Sequence, residues 1–369
     1  MSGPIGIPTV SGDGPARRLR LALGLLIAAV VATGCAPVGY LAQSVGGHLR
    51  LVAAARPVSD WLVDGTTSDQ LRQRLLLSQR MRDFAVSELK LPDNASYRRY
   101  ADIGRAAAVW NVVAAPPLSL QLKTWCYPVV GCVAYRGFYD RQAAEDAAEP
   151  LRAAGLDVLV YGVPAYSTLG KLPGDYFADP LLNTFVNYPE GALAGLIFHE
   201  LTHQLVYAAG DTVFNESFAS AVERIGVQRW LSAQGNPQAR EQFARDTRRR
   251  EEFRELTQAT RVQLEAVFES ADSDEAKRLS KEAVMTAMRE RYLLLKRERW
   301  GGFAGYDGWM ASANNASLGL VAAYNSLVPG FERLFESNAG DFDRFYDEVR
   351  RLATLPEPQR RAALGAESH

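Results

Sequence analysis

The amino-acid sequence predicts an α+β protein that is mainly helical, with a small N-terminal β-sheet region and a long helical hairpin. Three observations indicate this class. Short apolar or alternating runs bounded by proline and glycine lie between residues 105 and 170. Apolar residues recur at helical spacing after residue 189, and a charge-dense helical stretch covers residues 237–299. At 369 residues, the chain is long enough for one large domain or two.

The first 34 residues have the features of an export signal. Three arginines between residues 17 and 20 precede an apolar stretch, residues 19–31, that is too short to span a membrane comfortably. The stretch ends in Ala-Thr-Gly before Cys35, a sequence similar to a bacterial lipobox. By that analogy Cys35 becomes the lipidated first residue after cleavage; a plain secretory signal or an uncleaved anchor is the alternative. We expect a lipoprotein of the bacterial cell envelope that faces the periplasm, and Ala36 after the cysteine favours the outer membrane.

Charge and hydropathy limit the classes of partner that the chain can bind. The whole chain has a formal net charge of −1, and removal of residues 1–34 takes away three arginines and one aspartate, leaving −3. Nothing in this balance indicates a nucleic-acid surface. No second apolar run is long enough to span a bilayer. The membrane contact that we expect is therefore the lipidated Cys35.

The chain divides into four regions. They are the signal peptide (1–34), a membrane-proximal segment (35–65), an α+β region with an edge strand (66–188), and a helical region (189–369) that contains the charged hairpin (237–299). In the α+β region, Thr67 or Ser68 can cap a helix that continues to Leu89, before Pro92. The charged hairpin is interrupted at residues 270–273, which predicts two antiparallel helices.

The residues between 105 and 170 are expected to form the sheet. The predicted elements are strands at 107–114, 118–125 and 133–138, a helix at 141–154, a strand at 158–161 and a proline-containing edge strand at 163–169. An exposed edge can bind an extended peptide as an added strand, so Tyr166 and Ser167 are candidate substrate-binding residues. An ordinary loop packed on the sheet is the alternative.

Cys126 and Cys132 remain as a pair once Cys35 is assigned to lipid. In an oxidising periplasm they are candidates for a disulfide that closes the turn between them. A metal or redox pair is the rival interpretation, but the five-residue spacer differs from the usual CxxC spacing, and the sequence has no fourth cysteine.

Residues 199–203 have the sequence His-Glu-Leu-Thr-His and follow an apolar run that is typical of a buried helix. Residues four apart lie on one helix face, so His199 and His203 can bind the same metal ion. Glu200 can act as general base toward a water molecule that the metal activates. The alternative is a set of hydrogen-bonded core groups, which would be costly to bury without a metal or partners.

A catalytic zinc site of this kind needs a third protein ligand. The first helix is expected to stop at Gly210, and a second helical pattern begins near Phe214. Glu216 and Glu223 on that second helix are both candidates. They are seven residues apart, so they point the same way but stand about 10 Å apart along the axis, and only one can ligate.

The HExxH motif followed by a helix with Asn-Glu-x-x-Ala/Ser resembles the gluzincin metallopeptidases. That resemblance implies that the Glu after Asn, which is Glu216, is the third ligand. The chain as a whole resembles a family of predicted bacterial zinc aminopeptidases, many of them lipoproteins. The similar segments include residues 125–137, residues 165–170, the HELTH helix and residues 314–316. The resemblance implies removal of N-terminal residues from peptides, with one Zn²⁺ per chain.

The expected chemistry is zinc-assisted amide hydrolysis with Glu200 as general base. A tyrosine is expected to stabilise the oxyanion, with Tyr324 as the first candidate and Tyr166 as the second. Asn314 and Asn315 can bind the substrate backbone or cap a helix. Two alternatives stay open, a zinc endopeptidase and a non-proteolytic envelope lipoprotein that acts as a chaperone or assembly factor.

Overall fold

The structure is a computed structural model that describes residues 43–127, 131–165, 175–322 and 327–365. Helices account for most of these residues. In chain order they are α1 (43–54), α2 (Val58–Val63), α3 (Asp69–Ser87), α4 (Arg141–Ala153), α5 (Glu190–Thr202), α6 (Thr212–Gln234), α7 (Pro237–Glu269), α8 (Asp274–Glu298), α9 (Asp307–Ser312), α10 (Asn315–Ala322), α11 (Val328–Ser337), α12 (Phe342–Ala353) and α13 (Glu357–Ala363). The fold described below is that of the unit that begins at Leu49.

The strands are short and form small sheets. They are β1 (Arg56–Pro57), β2 (Arg99–Ala101), β3 (Val109–Ala115), β4 (Trp125–Tyr127), β5 (Gly131–Val133), β6 (Arg136–Phe138), β7 (Asp157–Val163) and β8 (Leu181–Leu182), with a 3₁₀ turn at Asp175–Phe177. The sheet orders are β1-β2-β8, β6-β3-β7 and β4-β5. The prediction of a mainly helical α+β fold with a small sheet region is confirmed.

The sheet around β3 supports one wall of the functional region. β3 pairs antiparallel with β7 along its whole length, from Val109 opposite Val163 to Ala115 opposite Asp157. Because side chains alternate between faces, Val113 and Tyr161 point to the same face, where they pack with Ala316 and Leu320 of α10. α4 packs against the same two strands. Within the described residues β6 and β7 are the two outer strands of this sheet.

The main core surrounds α5 and α6. Aromatic side chains of α6, α11 and α12 pack against each other there, and they include Phe214, Phe218, Phe331, Phe345 and Tyr346. Glycine lets neighbouring elements approach α6 closely. A Cβ at Gly226 would lie 2.7 Å from Leu89 Cδ1 and 2.9 Å from Phe198 Cδ2, so a larger residue would force α6 away from α3 and α5.

The helical hairpin α7–α8 has a core of its own. It buries Phe253, Leu264, Met285 and Met288 together with Trp300, which follows α8. Asn236 and Ser273 cap the two helices through side-chain oxygens that accept from Ala239 N and Ala276 N. The predicted break at residues 270–273 lies between the two helices, as α7 ends at Glu269 and α8 begins at Asp274.

Three sequence predictions of local structure were wrong. Residues 118–124 form no strand, because Pro116 and Pro117 lack the N–H groups that would continue the ladder. The helix that carries His199, α5, ends at Thr202 rather than Gly210, since the N–H groups of Gln204 and Leu205 bond three residues back in tight turns. The single strand predicted at 133–138 is divided into β5 and β6, because β5 pairs with β4 whereas β6 pairs with β3.

None of the helices in the described part of the chain combines the length and the apolar composition needed to cross a bilayer.

A buried ion pair joins α13 to the start of α6. Asp211 caps α6 by accepting from Phe214 N at 3.0 Å, and its other oxygen lies 2.9 Å from Arg360 Nη2. The side chains are only 3% and 10% exposed, respectively. Arg360 also donates to the carbonyl of Leu355. The C-terminal segment therefore holds the N-terminus of the helix that carries Glu216.

We expect Asp211→Ala to lower the free energy of unfolding by roughly 3–5 kcal/mol, because it removes a cap and leaves the Arg360 charge buried and unpaired. The matched control is Asp341→Ala, which removes an exposed N-cap of α12 without a buried ion pair and should cost about 1 kcal/mol. Urea unfolding followed by circular dichroism measures both. Equal losses in the two variants would contradict the role given to the ion pair.

Candidate metal centre

His199 and His203 lie at the C-terminal end of α5. The helix begins at Glu190 and buries Leu193, Ile197 and Leu201 in the main core. The two imidazoles are one helical turn apart and meet edge to face, with an angle of 82° between the ring planes. Their Nε2 atoms are 3.2 Å apart. The four-residue spacing of the motif therefore brings two nitrogen donors to one point, as the sequence predicts.

The loop between α5 and α6 is fixed by Asn215. This buried amide accepts a hydrogen bond from Ala208 N at 2.8 Å and donates to Ala208 O at 2.9 Å. Both backbone polar groups of Ala208 are thereby satisfied, and α6 packs along α5. Asn215 thus turns the chain back, so that the next residue, Glu216, faces the histidines.

Glu216 completes a group of three donors. Its Oε2 lies 3.2 Å from His199 Nε2, and its Oε1 lies 3.7 Å from His203 Nε2. Donor atoms of the three residues all lie within 4.8 Å of one another, so the group can bind a metal ion. Two imidazole nitrogens and one carboxylate oxygen are a donor set that suits zinc and leaves a position open. His203 Nδ1 is buried and has no hydrogen-bond partner among the described residues.

Glu223 contacts the opposite nitrogen of the same ring. Its Oε2 lies 3.2 Å from His199 Nδ1, so His199 stands between two carboxylates of α6 that are two turns apart. A carboxylate on the far nitrogen of a ligating histidine fixes the tautomer and the orientation of the ring. The sequence left Glu216 and Glu223 as alternative candidates for the third ligand. In the structure, Glu216 lies near Nε2 of both histidines, whereas Glu223 contacts Nδ1 of His199.

Gly195 makes room for Glu223. A Cβ built on this residue of α5 would lie only 3.1 Å from Glu223 Oε1. The same oxygen lies 3.6 Å from Arg250 Nη1 of α7. The absence of a side chain at Gly195 lets the carboxylate approach α5 closely enough to contact the imidazole.

The pKa values of the two histidines shift in opposite directions. Burial lowers the pKa of His199, but hydrogen bonds to Glu216 and Glu223 outweigh it and hold that pKa well above its usual value. Burial and the neighbouring His199 charge lower the pKa of His203 to about 4. Protonation is therefore favoured at His199 and disfavoured at His203. Metal ligation through His199 Nε2 would release a proton.

Glu200 lies beside the first histidine and is half-buried. Its charge acts on Tyr97, a buried residue in the left-handed region with φ of 63°. Burial, and then the charges of Glu200 and Asp179, raise the pKa of Tyr97 well above its usual value. Tyr97 therefore stays protonated near the residue that the sequence identifies as the general base.

A cavity of about 670 Å³ adjoins the histidine group. Glu223 and Tyr161 are among its lining residues, and the others include polar and charged side chains of α6 and α7 together with apolar side chains of α7 and α10. This volume is in the range of ligand-binding sites. A larger cavity of about 860 Å³ lies between α3, α6 and α11. Neither cavity is lined by His199, His203 or Glu216, but only the smaller of these two is lined by Glu223, which contacts His199. The smaller cavity is the one next to the candidate chemistry.

Tyr161 of β7 is a site residue that sequence reasoning missed. Its hydroxyl accepts a hydrogen bond from Asn111 Nδ2 at 3.3 Å. Burial raises the pKa of Tyr161, the Asn111 contact lowers it, and the charge of Glu216 raises it further, so this tyrosine lies in the field of the metal-site carboxylate. The alternation of side chains along the strand at residues 158–161 predicts which face of the sheet Tyr161 occupies. It does not predict which element packs against that face.

Asn314 and Asn315, proposed from the sequence as substrate-binding residues, bond to backbone groups. Asn314 Nδ2 donates to Val158 O at 3.0 Å, and Asn314 Oδ1 accepts from Ser317 N at 3.1 Å. Asn315 is fully buried, and its amide donates to the carbonyls of residues 116, 117 and 119. These contacts fit the capping alternative and tie α10 to the sheet.

Four other candidate residues, Tyr324, Tyr166, Ser167 and Cys35, lie outside the described residues, so their roles stay predictions. Cys126 and Cys132 are joined by a disulfide that closes the β4–β5 hairpin.

Comparison with known proteins identifies the family. The family model described as "Putative aminopeptidase" matches residues 39–364, which is most of the chain. The chain belongs to this family. The match includes every helix from α2 to α13 and therefore both elements of the candidate metal centre. No curated protein and no solved structure matches the chain significantly.

We expect Glu216→Gln to abolish stoichiometric metal binding, because it removes the anionic donor from the group of three. Glu223→Gln should weaken metal affinity by about 10- to 100-fold, since it disturbs only the orientation of His199. Dialysis against zinc followed by elemental analysis, with chelator competition for affinity, measures both effects. Glu241→Gln, an exposed carboxylate on α7, is the control and should bind like the parent protein. Loss of metal in Glu223→Gln with retention in Glu216→Gln would reverse the two roles.

Proposed function

We propose that the protein is a zinc-dependent aminopeptidase that removes N-terminal residues from peptides. The observation that carries this proposal is the convergence of His199, His203 and Glu216 beside Glu200 and a peptide-sized cavity. Membership of the aminopeptidase family supports the reaction class. Zinc is proposed because two imidazoles and one carboxylate are a common ligand set for catalytic zinc.

His199, His203 and Glu216 would hold the ion. When bound, it would supply Lewis-acid polarisation of the scissile carbonyl and a lowered pKa for water. The contact between Glu223 and His199 Nδ1 keeps the ring in one tautomer, with Nε2 directed toward the other donors. The chain thus provides three donors that need little rearrangement before metal binds.

Glu200 is proposed as the general base and acid. Its carboxylate takes a proton from the attacking water and later delivers it to the nitrogen of the leaving amine. The neighbouring His199 has both ring nitrogens in contact with carboxylates of α6, and Glu200 is the acidic residue within the His-Glu-Leu-Thr-His motif itself. Tyr97 stays protonated nearby and so adds no second negative charge there.

Tyr161 is proposed as the donor that stabilises the oxyanion. Its hydroxyl accepts from Asn111 and therefore keeps its own proton available for donation into the cavity that it lines. The raised pKa of Tyr161 means that the hydroxyl is protonated at neutral pH. A fixed donor in a partly enclosed site stabilises developing charge more strongly than water does.

The decisive test is digestion of a mixed peptide library by the zinc-loaded protein and by its Glu200→Gln variant. The proposal predicts stepwise loss of N-terminal residues in mass spectra with the parent protein, and no such loss with the variant, although zinc content stays equal. Internal cuts that depend on Glu200 would indicate an endopeptidase instead. Identical products from both proteins would favour a non-proteolytic envelope protein that retains the metal.

We expect Tyr161→Phe to lower kcat by roughly 10²- to 10³-fold with little change in zinc content, because one oxyanion donor is lost while the metal ligands remain. Steady-state kinetics on a peptide substrate measure this effect. Tyr176→Phe is the control, since that tyrosine is exposed and lies outside the cavity. A kcat for Tyr161→Phe that equals the control value would rule out this role.

A further inference from the structure

The cavity beside the metal centre has a cationic wall. Arg250 and Arg254 of α7 both line it, and residues four apart lie on the same face of a helix. Glu223 and Tyr161 line the same cavity from α6 and β7. The cavity therefore extends from Glu223, which contacts His199, to the two arginines of α7.

Most charges around the cavity are paired. Glu223 contacts His199 and lies 3.6 Å from Arg250, and Glu332 lies 3.6 Å from Arg224. Arg254 is different, because no carboxylate of the described residues lies within ion-pair distance of its guanidinium. Glu251 is the acidic lining residue that likewise has no ion pair in the part of the chain that the structure describes.

Apolar side chains form another part of the same cavity wall. Phe253 stacks on Tyr306 with ring centroids 4.0 Å apart and planes within 5°, and Leu320 and Val321 of α10 line the same cavity. The side chains of Arg250 and Arg254 are themselves exposed, so a carboxylate in the cavity can reach them from solvent. The planar guanidinium matches a carboxylate in a two-point contact.

We propose that Arg254, assisted by Arg250, binds the α-carboxylate of a short peptide whose N-terminal end lies at the metal centre. The substrates would then be short peptides with a free C-terminus rather than long chains. A cavity of about 670 Å³ suits such a ligand, since it is in the size range of small-molecule sites. The proposal rests on the proposed function for the reaction, but the recognition of the carboxylate can be tested separately.

The test compares a series of tripeptides and pentapeptides as free acids and as C-terminal amides. With the zinc-loaded parent protein, kcat/KM should be about 2- to 5-fold higher for a tripeptide acid than for its amide, as expected for an ion pair with exposed arginines. In Arg254→Gln this acid-to-amide ratio should fall toward one. In Arg248→Gln, an exposed arginine of α7 outside the cavity, the ratio should stay at the parent value.

Glu251→Gln is the second control, because it changes a lining residue of opposite charge on the same helix. It should keep the preference for the acid, since removal of a negative charge does not weaken binding of a carboxylate. A ratio near one in the parent protein, or an unchanged ratio in Arg254→Gln, would overturn the proposal.

Binding measurements separate this proposal from the proposed function. In the Glu200→Gln background, calorimetry with the acid and amide tripeptides measures recognition without hydrolysis. Tighter binding of the acid that depends on Arg254 supports carboxylate recognition even when no peptide is cleaved. Hydrolysis that depends on Glu200 but shows no difference between acid and amide leaves the aminopeptidase proposal standing and contradicts this one.

Discussion

The close contact between α5 and α6 is the constraint on which the candidate site depends. Both nitrogens of His199 on α5 are contacted by carboxylates of α6, Glu216 on one side and Glu223 on the other. This arrangement needs a short distance between the helices, and Gly195 allows it by leaving space for Glu223. It also needs a fixed turn, which Asn215 provides by bonding the loop backbone at Ala208.

Burial of so many ionisable groups requires compensation elsewhere. Charged groups lose solvation in an apolar core, and the loss is offset only where opposite charges or hydrogen bonds replace water. In the metal centre, the imidazole of His199 and its two carboxylates supply that replacement for one another. At the start of α6, the buried pair of Asp211 and Arg360 does the same and ties the last helix to the site. The C-terminal segment thus contributes to the position of Glu216 although it lies outside the site.

Local patterns in the sequence were sufficient for part of this structure. The HExxH spacing predicted the face shared by His199 and His203, and the break at residues 270–273 predicted the hairpin, because both depend on residues close together in the chain. The ends of α5 were less predictable. Gly210 has the positive φ of a C-cap residue, but tight turns after Thr202 had already ended the helix.

The remaining features depend on contacts between distant residues. Tyr161 adjoins the site because β7 pairs with β3 and places that face toward α10, which strand alternation alone does not specify. Asn215 looked like part of a ligand motif, and only the folded loop shows that its amide bonds to Ala208. Arg360 gave no sequence signal, because its partner Asp211 is 149 residues away. Likewise, the sequence does not show that the His199 ring lies between Glu216 and Glu223 and contacts one carboxylate with each nitrogen.

Anomalous diffraction at the zinc edge from crystals of the zinc-loaded protein tests the central claim most directly. The account predicts one strong peak per chain, bonded to Nε2 of His199, Nε2 of His203 and a carboxylate oxygen of Glu216 at about 2.0–2.2 Å, with Glu223 on the far side of His199. A peak bonded to Glu223 in place of Glu216, or a zinc-soaked crystal with no peak at these residues, would contradict it.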